Sequence, residues 1–291
     1  MKPIEECTVG IVGLGLMGGA IAIALRKEGI VRERGKLLAC DIDAEALGAA
    51  LGEGVIDEGF FNDPAAMLSR CDLVFLCLNP ATLLRFMAAH LSDFAPDALI
   101  TDIAGIKGSI VAALEQSLRP DLDFIPGHPM AGSEKGGFAN ANRCNFHGKN
   151  YILTPLTRNK PENLSFLKAV IHRMGFTRIT ETTAADHDRK IAFTSELCHV
   201  IAAALIDCER DTEITRFGGG SFEDLTRIAM LNAPMWTELF LENRDELLAR
   251  IGQFEASLDN LKSLISAGEQ NPLEAKLSEV RARRAAMADC R

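Results

Sequence analysis

Eight cysteines are scattered through the 291 residues, yet no two are spaced C-x-x-C. That absence removes the usual zinc signature, and no metal is expected. Several cysteines sit inside apolar runs, as Cys77 does in residues 74–78, where a thiol serves as a small buried hydrophobe. Such usage suits a reducing cytoplasm. An excess of positive charge is also missing, the formal balance being −9. Nucleic-acid binding calls for clustered Lys and Arg, so no such partner is expected, although a local cationic pocket for a small anion stays compatible with an acidic surface. The opening Met1-Lys2-Pro3-Ile4-Glu5-Glu6 lacks the regions of a secretory signal. No apolar run is long enough to span a bilayer, and there is no internal repeat. The expectation is a cytoplasmic protein of roughly two domains, with no membrane partner.

What is present begins with glycine. Thr8-Val9-Gly10-Ile11-Val12 reads as a buried strand running straight into Gly13-Leu14-Gly15-Leu16-Met17-Gly18. A small-residue helix follows and ends in Arg26-Lys27, which suits its C-terminal dipole. Between a strand and a helix each glycine of G-x-G-x-x-G has a task. Gly13 makes the turn, Gly15 lets a pyrophosphate approach the backbone, and Gly18 packs helix on strand. Leu16 and Met17 lie within this turn and are cofactor-binding candidates with its glycines, and the N-terminus of the helix that follows favours phosphate. The second strand, residues 36–40, ends at Asp41, 23 residues beyond Gly18. A carboxylate there accepts hydrogen bonds from an adenosine ribose and disfavours a 2′-phosphate, so NAD is expected over NADP. Asp43 competes for that role, and a solvated turn aspartate is the plain alternative.

Strands at 72–78, 98–103, 123–126 and 151–155 alternate with helices at 83–91, 109–118 and 162–174, and a short strand at 177–180 closes the series. This predicts an α/β domain over residues 1–183, a Rossmann-type, mostly parallel sheet covered on both faces. Residues 138–150 read as a surface loop. Within the domain the run Phe124-Ile125-Pro126 stops at Gly127, and a lone imidazole, His128, is held between Gly127 and Pro129. Pro129 biases it toward an extended backbone, and the glycines around Ser133-Glu134-Lys135 permit tight bends. The segment reads as a loop leaving a strand end, where open α/β sheets bind ligands. A histidine that merely caps a turn is the competing reading.

From Ala184 the texture is helical, which predicts an all-helical second domain over 184–291. A helix over 186–206 places Ser195 and His199 four apart on one face, where a satisfied core histidine is the plain reading. Gly218-Gly219-Gly220 breaks the pattern, and Ser221 with Asp224 is set to open the next helix as a capping box. Arg227 lies among apolar neighbours and calls for an anion, internal or substrate-borne. Trp236, the one tryptophan, starts a helix through Leu264 and reads as core by default. Residues 274–284 form a charged helix with a solvated or dimer-contact face.

Four motifs in order make the chain resemble the prephenate dehydrogenase family over nearly its whole length. They are His128-Pro129-Met130-Ala131-Gly132-Ser133-Glu134; Asp102-Ile103-Ala104-Gly105-Ile106-Lys107-Gly108; Ser195-Glu196-Leu197-Cys198-His199; and residues 218–229 with Met235-Trp236 beyond. The resemblance implies NAD-dependent oxidative decarboxylation of prephenate to 4-hydroxyphenylpyruvate, a step toward tyrosine. It implies that His128 accepts the hydrogen bond or the proton of the ring hydroxyl while hydride leaves for the nicotinamide. Arg227 would hold a carboxylate of the dicarboxylate substrate, with Ser133, Ser195, His199, Gly220 and Trp236 as further contacts and Glu134 and Asp224 orienting the site. Gly105 would lie by the cofactor. It also implies a homodimer through the helical domain, in which the neighbour's Trp236 and Arg227 complete each site. Tyrosine inhibition, if any, would act at that site, since no amino-acid-sensing domain is expected.

Two positions depart from the family pattern. Gly105 stands where many members carry serine, and Glu196 replaces the first histidine of S-H-L-P-H. Both leave open prephenate, its aminated relative arogenate, or both. Two other readings compete. The glycine-rich turn also resembles β-hydroxyacid dehydrogenases, which would require Lys190 as the catalytic lysine. A non-catalytic NAD-binding sensor signalling through a helical dimer is the other.

Overall fold

The computed structural model describes residues 2–31, 35–133 and 135–287. The chain divides into two compact units: Met1–Asp188 with Met230–Glu242, and Arg189–Ala229 with Asn243–Arg291. The first unit thus runs five residues past the expected boundary at 183 and reclaims a segment from the helical half.

In the first unit a six-stranded parallel sheet is ordered β3-β2-β1-β4-β5-β6. Its strands are β1 (Thr8–Val12), β2 (Lys36–Asp41), β3 (Glu58–Phe61), β4 (Leu73–Leu76), β5 (Leu99–Asp102) and β6 (Asp123–Ile125). The alternation of side chains explains why the central strands are apolar without a break from Val9 to Val12 in β1 and from Leu73 to Leu76 in β4. Ile11, Leu37, Leu73 and Phe75 enter one cluster; Val12, Leu38, Val74 and Leu76 enter the other. Helices α1 (Leu16–Lys27) and α2 (Ala44–Gly52) cover the first face, and α3 (Pro64–Leu68), α4 (Pro80–His90) and α5 (Gly108–Ser117) the second. A strand buried on both faces has no polar side to show. The order is that of a dinucleotide-binding doubly wound fold, in which ligands collect at the carboxyl ends of the strands where the order reverses.

The chain then builds a second sheet that sequence reading did not separate from the first. β7 (Gly127–Pro129) pairs antiparallel with β8 (Asn150–Leu153), which pairs parallel with β9 (Arg178–Glu181). His128 therefore lies in a short strand rather than a loop, opposite Ile152. The region expected as a surface loop contains a 3-10 turn, Phe138–Arg143, whose Phe138 and Ala141 are buried beside Gly19 of α1. Helix α6 (Pro161–Arg173) follows β8.

In the helical half, the predicted helix over 186–206 is three pieces: α7 (Ala184–Ile191), a π turn (Ala192–Glu196) and α8 (Leu197–Asp207). Then come α9 (Gly220–Thr226), α10 (Ala233–Glu242), α11 (Arg244–Ala267) and α12 (Gln270–Ala286). The capping box at Ser221 does not form; the N-cap of α9 is Gly219, two residues earlier, and there is no side-chain cap. The long helix expected from Trp236 breaks at Asn243, between α10 of the first unit and α11 of the second. No described helix is long and apolar enough to cross a membrane.

Candidate active site

The glycine-rich turn has the geometry that nucleotide binding needs. Gly13 takes φ +89°, and a Cβ there would lie 2.5 Å from the Cys77 carbonyl oxygen. A Cβ on Gly18 would fall 1.9 Å from the Gly13 carbonyl oxygen, so helix and turn touch only because both are glycine. Gly15 is exposed with nothing within 4 Å of an added Cβ, which leaves its backbone open to a ligand. Leu16 and Met17 form the first turn of α1, which has no side-chain cap. These features fit a pyrophosphate.

Asp41 ends β2 beside this turn. One carboxylate oxygen accepts from the Leu14 amide, the other from the Asp43 amide at 2.8 Å. Asp43 instead caps α2, accepting from the amides of Glu45 at 2.9 Å and Ala46 at 3.1 Å. The competing acid is thus committed to a helix end, and Asp41 remains half-buried at the carboxyl end of β2.

His128 has part of its surface accessible and the rest enclosed. Its Nδ1 lies 2.9 Å from Nε2 of His187 on α7, and Nδ1 of His187 lies 2.7 Å from a carboxylate oxygen of Asp188. Asp188 is anchored in turn. It accepts from the Lys107 amide at 2.9 Å and the Gly108 amide at 2.7 Å, at the start of α5. The Lys107 ammonium, fully buried, donates to the buried Asp102 carboxylate. Asp102 also accepts from the amides of Ala104 at 2.9 Å and Gly127 at 3.0 Å, so β5 fixes the backbone just before His128. Burial first, then the neighbouring His187 and Lys107, hold His128 well below the ordinary imidazole value of 6.5. Burial also pulls His187 down, against the opposing pull of Asp188. Lys107 is pulled down by burial, against its carboxylate partners. The result is a neutral imidazole at the carboxyl end of a nucleotide-binding sheet, suited to accept a proton near neutral pH.

Gly105 follows β5 in the same unit. A Cβ there would meet the Leu239 side chain of α10 at 3.2 Å, so an apolar methyl stands where a larger residue would project. Trp236 is half-buried on α10, its ring 5.4 Å from that of Phe240, rather than in a core. Ser133 is exposed, its hydroxyl accepting from the Lys135 amide at 3.2 Å. Glu134 lies outside the described residues.

The second unit supplies a separate polar group. Nδ1 of half-buried His199 donates to the Ser195 carbonyl at 2.9 Å, one helical turn back. Burial lowers the His199 pKa, and the nearby Arg227 guanidinium lowers it further. Arg227 is exposed in this chain rather than enclosed by its apolar neighbours, and Asp224 and Gly220 are exposed as well. Glu196 is buried in the π turn, where its carboxylate accepts from the side-chain Nδ2 of Asn243 at 2.8 Å. Lys190, required by the lysine-based alternative, is exposed on α7.

The residue that sequence reading missed is His187. Its signal was the cluster Asp186-His187-Asp188, which reads locally as a polar helix start. Its partner is 59 residues away, and nothing local reveals that pairing.

Fold and glycine-rich turn together define the class, a dinucleotide-binding oxidoreductase. The chain belongs to the prephenate dehydrogenase family: residues 21–180 match the model for the prephenate dehydrogenase nucleotide-binding domain, and residues 183–279 that for its dimerization domain. It is 30% identical over 263 residues to a prephenate dehydrogenase of Bacillus subtilis, covering 89% of this chain and 70% of that one. It is also 30% identical over 277 residues to a cyclohexadienyl dehydrogenase of Zymomonas mobilis, covering 89% and 88%. Among solved structures, prephenate dehydrogenase from A. aeolicus in complex with hydroxyphenyl propionate and NAD+ superposes with a TM-score of 0.84 at 33% identity, covering 96% of this chain and 97% of that one. Family membership goes against the β-hydroxyacid reading built on Lys190.

Proposed function

We propose that this chain oxidises and decarboxylates prephenate to 4-hydroxyphenylpyruvate with NAD. The observation that carries the reading is His128, a neutral, partly accessible imidazole backed by a buried polar series in a nucleotide-binding unit. Gly13, Gly15, Leu16, Met17, Gly18 and Asp41 would hold NAD, which when bound would supply the hydride acceptor. The residues have little covalent chemistry to perform. His128 takes the hydroxyl proton as the ring carbon is oxidised; loss of carbon dioxide then aromatises the ring, and His128 returns the proton to the phenolate oxygen. Arg227 grips a substrate carboxylate, and His199 and Ser195 line the same face. Ser133, Glu134, Asp224, Gly220 and Trp236 complete the substrate contacts, and Gly105 gives the cofactor room. A second copy of the chain pairs through the helical half, where Leu205, Leu248, Leu258, Ile265 and Leu277 are exposed. The buried Glu196, in place of the family's histidine, keeps arogenate as a second substrate.

The test is NADH formation by the purified protein with prephenate and with arogenate in turn. Turnover of prephenate supports the reading, turnover of arogenate alone moves it to the aminated substrate, and turnover of neither refutes it.

A further inference from the structure

The series Asp188–His187–His128 fixes more than a position, because each hydrogen bond constrains where the next proton sits. An ionised carboxylate only accepts, and Asp188 already accepts two backbone N–H groups, so Nδ1 of His187 must carry a proton. In a neutral ring the other nitrogen is then a lone pair, so Nε2 of His187 accepts. Its partner at 2.9 Å is Nδ1 of His128, which must therefore donate. The lone pair of His128 is left on Nε2.

Resting on the function proposed above, we infer that His187 is a positioning residue that sets the His128 tautomer, making Nε2 the atom that receives the substrate's proton. Asp188 acts one step further back, and the start of α5 holds Asp188 in place. The charged and titratable groups around the pair are Lys107, Asp102 and Asp188. The enclosure that keeps both rings neutral preserves the chain of donors and acceptors. When His128 is protonated in turnover, its Nδ1–H already has an acceptor, so no group must rotate to accommodate the charge. Without His187 the tautomer with the proton on Nε2 is free to form, and that ring cannot accept a proton at that atom.

The experiment uses the full-length protein with ring-15N histidine and added NAD. The nitrogen chemical shifts of His128 report which ring atom carries the proton. The wild-type protein should show the proton on Nδ1. His187→Leu should move population to the Nε2–H form and lower kcat on the order of tenfold to a hundredfold, with NAD affinity unchanged. His187→Gln places a carbonyl oxygen where Nε2 stood, and should restore the Nδ1–H tautomer together with most of the lost rate. A wild-type spectrum with the proton on Nε2 overturns the inference, as does a Leu variant with unaltered tautomer and rate. Should the Leu variant fail to fold, the wild-type spectrum and the Gln variant decide. A protein that oxidises neither cyclohexadienol but shows the Nδ1–H tautomer would refute the proposed function and leave this assignment of the proton standing.

Discussion

The surroundings that hold the His128 imidazole uncharged have a cost in acid. Three histidines, at 128, 187 and 199, are held below the ordinary imidazole value of 6.5. A lowered folded value means that below 6.5 the unfolded chain binds more protons than the folded one, so stability falls as pH drops from there toward the folded values. On the function proposed above, turnover needs only that His128 be neutral. The rate should therefore hold through pH 6.5 and fall at lower pH, while the denaturation midpoint is already declining; a rate that titrates at 6.5 would contradict this. His128→Asn should cut kcat by on the order of a hundredfold or more with NAD affinity intact, which an equilibrium binding titration checks. Arg227 is an exposed guanidinium beside His199, and Arg227→Ala should raise KM for substrate far more than it lowers kcat. Unaltered KM would remove the carboxylate grip.

Among the elements, α10 holds to the first unit by a bond that no sequence pattern announces. Glu238 accepts from the Ala81 amide at 2.5 Å, capping α4, whose own N-cap Asn79 provides no side-chain cap. Glu238→Ala should cost about 0.5–2 kcal/mol, as loss of a cap does. Trp236, the sole tryptophan, rides on the same helix, so its fluorescence should shift in that variant; an unchanged spectrum and melting temperature would show that the cap is idle. Elements written in local pattern were legible: the strand–glycine–helix start and the β/α alternation follow from nearest-neighbour sterics and the periods of burial. Those set by distant partners were not. β7 exists because it pairs with β8, and the break at Asn243 accompanies a side-chain bond to Glu196, 47 residues away. His128 stood out by its setting of glycine and proline. His187 did not, because its role comes from the other ring.

At the scale of the whole molecule, the chain passes from one unit to the other at 188/189, 229/230 and 242/243. The segment 230–242 contributes buried Leu239 and the Glu238 cap to the first unit, so residues 1–183 alone lack part of their own packing. That fragment should melt below the full chain, and a synthetic peptide of residues 230–242 added to it should raise the melting temperature and change the peptide's tryptophan emission. No shift in either would mean that the segment is dispensable to that unit.

The same interleaving governs how relatives of this protein can be recombined. A chimaera made by one crossover at residue 183 joins a nucleotide-binding half to a foreign α10, replacing at a stroke the cap on α4 and the methyl over Gly105. Exchange of the helical half without that damage takes further crossovers, flanking residues 230–242, so that each half keeps its own graft.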